Sequence, residues 1–194
     1  VARAGLNTAD VIAAAAELAD ARGIEAVSLT AVAEQLGVRP PALYKHINGI
    51  TDLQRGIASL AMTELGDAIR EAVQGKTRRA AVEAIFRTAR AYIAEHPGRY
   101  SATTGADLQQ EDDPLVGATT RLIDVVREAL SSYRIPSADL DHAIRTLRCT
   151  IHGYALLQAG DAFQWSNDPD ETMDWMIRFI DTGLTEAGQS GPSA

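Results

Sequence analysis

Apolar side chains recur every three or four residues along almost the whole chain. No stretch alternates apolar and polar residues with the β-branched or aromatic enrichment of a strand. That pattern predicts an all-α fold, because a helical stripe cannot lie on one face of a strand. Apolar residues are 46% of the 194, enough to bury a core, while aromatics are only 5%. Alanine leads the apolar share and favours helix. The single cysteine, Cys149, excludes an internal disulfide framework and a cysteine zinc cluster. No run approaches the roughly 20 apolar residues that a membrane span needs. The opening VARAGLNTAD lacks the charged-then-hydrophobic order of a signal peptide, so the cytoplasm is the expected compartment.

Punctuation residues divide the periodic pattern into helices. Asn7 or Thr8 can cap the first, which carries Val11, Ile12, Ala15, Leu18 and Ala19 and ends at Gly23. Ser28 opens a short helix over 29–36, followed by Gly37. Pro40 and Pro41 open a third, with Leu43, Tyr44 and Ile47, which Asn48-Gly49 breaks. Thr51 is the expected cap of a long helix over 51–74, closed by Gly75. Helices then follow over 77–95, 114–134, about 137–160 and 168–187, with a short or irregular piece over 98–113. The tail over 189–194 is expected to be disordered. The expected domains are a head over 1–50 that continues into the helix over 51–74, and a helical body over 51–188.

Residues 28–47, SLTAVAEQLGVRPPALYKHI, carry the functional signal. Leu29, Val32, Leu36, Leu43 and Ile47 form an inward face, Ala33 lets two helices cross, and Gly37 supplies a left-handed turn. This is a helix-turn-helix, whose second helix enters the major groove. The outward side chains would then be Arg39, Pro41, Ala42, Tyr44, Lys45 and His46. Arg39 and Lys45 suit phosphates or guanine edges, Tyr44 and His46 suit phosphates, and Pro41 and Ala42 suit a thymine methyl. Ser28 and Thr30 at the preceding helix start, and Thr51 with the free N–H groups beside it, complete the candidate DNA-binding set. The net charge of −8 argues against coating nucleic acid by bulk charge. Yet between Gln35 and Thr63 the only acid is Asp52, while Arg39, Lys45, His46 and Arg55 all fall there.

On these residues the chain resembles the tetracycline-repressor (TetR) family of bacterial transcriptional regulators. The likeness over 6–56 rests on Ile12, Ala15, Leu18, Gly23, Ser28, Leu29, Val32, Ala33, Leu36-Gly37-Val38, Ala42 to His46 and Asp52-Leu53. It implies a three-helix head and a larger ligand-binding, dimerising body, about nine helices in all. Ile50 stands where the family usually has a phosphate-reaching Lys, and Ile47, Arg39 and Thr30-Ala31 also depart from its pattern. Affinity is then expected to rest on Lys45, Arg39, Arg55 and backbone donors. A second likeness, Arg148 to Leu157 with Gly160 and Phe163, resembles one C-terminal branch of the family. It implies a homodimer through the last two helices. Gly153 fits, since a helical glycine is costly unless another backbone comes close.

The resemblance further implies a repressor that leaves a palindromic operator when a small-molecule effector enters the body. Candidate effector-binding residues, each with an apolar body or a polar handle, are Phe86, Tyr92, Tyr100, Arg145, Cys149, His152 and Trp165. A mostly apolar body suits an apolar or aromatic effector. The alternative is a small-molecule-binding helical protein with a degenerate head. His46, His96, His142 and His152 show no ligand spacing, and no phosphate-cradling glycine loop or nucleophile elbow occurs, so no metal, cofactor or catalysis is expected.

Overall fold

Asn7 starts the first helix through a reciprocal pair of bonds. Its side chain accepts from the Asp10 N–H at 2.9 Å, and the Asp10 carboxylate accepts from the Asn7 N–H at 3.1 Å. This capping box satisfies two backbone donors that the helix cannot. In the computed structural model, which describes residues 5–105, 108, 113–164 and 168–189, helix α1 spans Thr8–Arg22. The Ser28 hydroxyl accepts from the Ala31 N–H and opens α2, Leu29–Leu36. Gly37 closes it at φ 66° and ψ 32°, and Val38 N–H returns to the Ala33 carbonyl. A side chain would be strained in that left-handed turn. A 3-10 segment covers Pro40–Lys45. Then come α3 (Ile50–Ala72), α4 (Arg78–Glu95), α5 (Pro97–Ser101), α6 (Pro114–Ala129), α7 (Ser137–Ala159) and α8 (Pro169–Gln189). No strand occurs among the described residues, so the fold is all-α.

The chain packs as two units, Val1–Glu64 with Glu95–Arg121, and Leu65–Ala94 with Leu122–Ala194. In the first, Val11, Ala15, Val32, Leu43, Leu53 and Ile57 are fully buried in one cluster. Each such Val, Leu or Ile contributes about 1.5–3 kcal/mol. Ala102, just past α5, packs against that cluster. In the second, Val82 and Phe86 of α4 and Met173 and Ile177 of α8 are fully buried, with Leu147, Ile151 and Tyr154 of α7 nearly so. Arg87 pairs with Asp174 at 2.7 Å, and Arg90 donates to Gln158 at 2.8 Å and pairs with Asp170. These bonds join α4 to α7 and α8.

One helix end differs from the sequence reading. The expected helix over 114–134 stops at Ala129 and turns through a 3-10 piece, Ser131–Tyr133, with Arg134 left-handed at φ 59°. Tyr133 explains the turn: it is buried, and its hydroxyl donates to Asp181 of α8. The short or irregular piece expected over 98–113 includes most of the short helix α5, which Pro97 can begin because it needs no N–H in a first turn.

Candidate nucleic-acid interface

The outward-facing segment is a 3-10 helix, where the sequence pattern predicts an α-helix. Pro40 and Pro41 fill its first turn, where no N–H donor is needed, and its bonds run three residues back: Ala42 N–H to the Arg39 carbonyl at 2.9 Å, and His46 N–H to Leu43 at 2.8 Å. Side chains three apart nearly eclipse in such a turn. Leu43 and Ile47 point inward and are buried, whereas Tyr44 is 61% exposed with Lys45 beside it in solvent. Arg39 and Pro41 are also exposed, and Ala42 and His46 are half-buried. The Thr8 hydroxyl donates to the His46 carbonyl at 3.3 Å, which ties the start of α1 to the end of this segment.

The flanking candidates fall on helix starts. Ser28 is exposed and already caps α2, so its hydroxyl oxygen is occupied by a backbone donor; Thr30 is exposed in the first turn. Thr51 does not cap α3. The helix begins at Ile50, Leu53 N–H bonds the Gly49 carbonyl, and the Asp52 carboxylate accepts from the Asn48 N–H at 2.7 Å. Thr51 therefore lies inside the first turn, exposed. Asp52 instead ties the residue before the helix to its first turn.

Arg55 is not available to phosphate as the sequence suggested. Its guanidinium holds the Asp113 carboxylate, with Nε at 2.7 Å, and both side chains are largely buried. Asp113 also accepts from the Leu115 N–H at 2.7 Å, at the start of α6. Burial pushes this carboxyl up, but the Leu115 N–H and the Arg55 charge more than offset it and hold it below the ordinary aspartate range.

The candidate effector residues differ in burial. Phe86 and Tyr92 are buried in the core of the second unit, and Tyr100 is buried in the first. Arg145 and Cys149 lie exposed on α7, and His152, one turn further, is half-buried. Burial, and then the nearby Arg148 charge, holds His152 below the ordinary histidine range. Trp165 lies outside the described residues. A shallow depression of about 430 Å³ opens between the end of α6 and the start of α7, floored by Leu130, Ile135 and Leu140 and rimmed by Arg127 and Arg134. None of the candidates lines it. Among the described residues no group of three or more His, Cys, Asp or Glu could hold a metal ion, and no helix is long and apolar enough to cross a membrane.

Comparison with known proteins agrees with this geometry. The family model described as bacterial regulatory proteins, tetR family, matches residues 11–55, and that of the tetracyclin repressor-like C-terminal domain matches 82–180. The uncharacterized HTH-type transcriptional regulator YobS of Bacillus subtilis (strain 168) is 34% identical over 187 residues, 94% of each chain. Among the solved structures that share the fold are two with informative ligands. A single-substitution variant of TetR from Acinetobacter baumannii AYE, in complex with minocycline, has 20% identity and TM-score 0.73, covering 94% of this chain and 98% of that one. BioQ with its natural double-stranded DNA operator has 19% identity and TM-score 0.66, covering 94% and 99%. The chain belongs to the TetR family of bacterial regulatory proteins and is a DNA-binding transcriptional regulator.

Proposed function

We propose that this regulator is a homodimeric repressor that seats Pro40–Lys45 of each protomer in the major groove of a near-palindromic operator and lets go when a small-molecule effector binds. The carrying observation is the contrast within one short turn. Leu43 is fully buried while its neighbours Tyr44 and Lys45 stand in solvent, with Arg39 and Pro41 exposed just before them. A core role cannot explain a 61% exposed tyrosine. In this reading Lys45 and Arg39 meet phosphates or guanine edges, Tyr44 and His46 meet phosphate oxygens, and Pro41 and Ala42 face a thymine methyl. Ser28, Thr30 and Thr51 stand at the helix starts that approach the backbone, where free N–H groups favour an anion.

The dimer reading has its own support. Leu156 and Leu157 on α7, and Trp175 and Phe179 on α8, are exposed large apolar side chains. The two aromatic rings stack with centroids 5.3 Å apart. Gly153 and Gly183, on the same two helices, meet nothing within the protomer that would exclude a side chain. Monomers rarely leave such clusters uncovered, and small residues allow a second backbone to approach. Likeness to a BioQ–operator complex and to a minocycline-bound TetR variant supports the DNA and effector parts of the reading. The effector site itself is assigned to the body and to an apolar or aromatic molecule, and the place of action to the bacterial cytoplasm.

Selection of duplexes from a random pool tests the proposal. Two heads in successive major grooves should enrich an inverted repeat with half-site centres about 34–36 Å apart, one helical turn. Failure to enrich any duplex would refute it, and would favour a ligand-binding protein whose head no longer reads DNA.

A further inference from the structure

Two arginine–carboxylate clamps close the first unit from outside the helix-turn-helix. Arg99 of α5 holds Asp20 twice, by its backbone N–H at 2.8 Å and by Nε at 2.7 Å. The same guanidinium reaches both oxygens of Glu64 on α3, at 3.1 and 2.9 Å. Its side chain is only 12% exposed. Asp20 sits in the last turn of α1, where the helix dipole disfavours an acid unless a cation compensates it. Next to it, Gly98 lies so close to α1 that a Cβ there would come 1.9 Å from the Ala19 carbonyl oxygen. The second clamp joins Arg55 of α3 to Asp113, which also supports the first turn of α6.

The placement of these residues is the informative point. The tetR-family match ends at residue 55, and the C-terminal-domain match begins at 82. Arg99 and Asp113 belong in sequence to the body, yet Glu95–Arg121 packs in one unit with Val1–Glu64. Between them the clamps grip the two helices, α1 and α3, that bracket the reading segment. α1 touches it directly through Thr8 and His46.

We propose that Arg99 and Asp113 are positioning residues for operator binding: without touching DNA, they hold α1 and α3 in the arrangement that presents Pro40–Lys45. This rests on the reading of that segment as the DNA contact. A loosened head spends only a fraction of its time competent, and apparent affinity falls by that fraction. Contacts made once bound are unchanged.

The test uses the full-length protein and a duplex selected by wild type from the random pool. Arg99→Gln and Asp113→Asn should each weaken binding about 10-fold or more, with the salt dependence of log K unchanged. Arg99→Lys keeps the charge but loses the fork, and should fall between; it also carries the test if Arg99→Gln does not fold. Asp20→Asn combined with Arg99→Gln should cost about as much as Arg99→Gln alone, since both break one clamp. A slope that drops by about 1 per head would instead make Arg99 a phosphate contact and overturn the proposal. So would a lowered melting temperature with affinity intact, which is a purely structural role. Lys45→Ala is the control. If it weakens binding while the clamp variants do not, only this proposal falls; if wild type selects no duplex, both readings fall.

Discussion

Arg55 and Asp113 illustrate how a single residue's role depends on a distant partner. Asp113 titrates below the ordinary aspartate value because the Leu115 N–H and Arg55 outweigh its burial. In the unfolded chain it returns to about 3.9. Its folded pKa is thus depressed, so its stabilisation is complete above the unfolded value and is lost as pH falls through the folded one. Asp113→Asn should therefore lower the melting temperature at pH 7, and the gap to wild type should narrow as pH drops below about 4; thermal melts across that range check it. The sequence placed Arg55 in an acid-poor window and so suggested phosphate. Its partner lies 58 residues later, a separation that no local pattern encodes. Tyr44 and Lys45 were legible as outward-facing because their neighbours Leu43 and Ile47 are apolar at the right spacing. The role of Asp52 as an acceptor for the Asn48 N–H was masked by Thr51, a better capping residue one position earlier.

At the scale of elements, helix existence followed from spacing and caps, while helix type and exact ends followed from tertiary demands. Pro40–Lys45 is 3-10, and apolar spacing over six residues does not distinguish that from an α-helix. α5 was illegible for a different reason. It is five residues long, too short for any periodicity, and its seat depends on a backbone approach at Gly98. Gly98→Ala must push α5 off the Ala19 carbonyl. We expect a loss of about 1–3 kcal/mol, the usual cost of overpacking, measured by urea unfolding; an unchanged midpoint would mean that α5 does not sit on α1.

For the whole molecule, the all-α class was written in the period of the apolar residues, and the family in the run from Ser28 to His46. The division into units was not, because Glu95–Arg121 joins the N-terminal residues across thirty intervening positions. Assembly has a direct test at this scale. Phe179 is 66% exposed and stacked on Trp175. Phe179→Glu places a charge in the proposed dimer face, and should yield a folded monomer in sedimentation with much weakened operator binding; a dimer of wild-type affinity would move the interface elsewhere. The central claim, that Pro40–Lys45 seats in duplex DNA, is tested most directly by the salt dependence of operator binding for wild type and Lys45→Ala. With Arg39 and Lys45 as the contacting cations of each of two heads, log K should fall linearly against log salt with a slope of about −4, and of about −2 in the variant. A variant that keeps both the wild-type affinity and the wild-type slope would contradict the account.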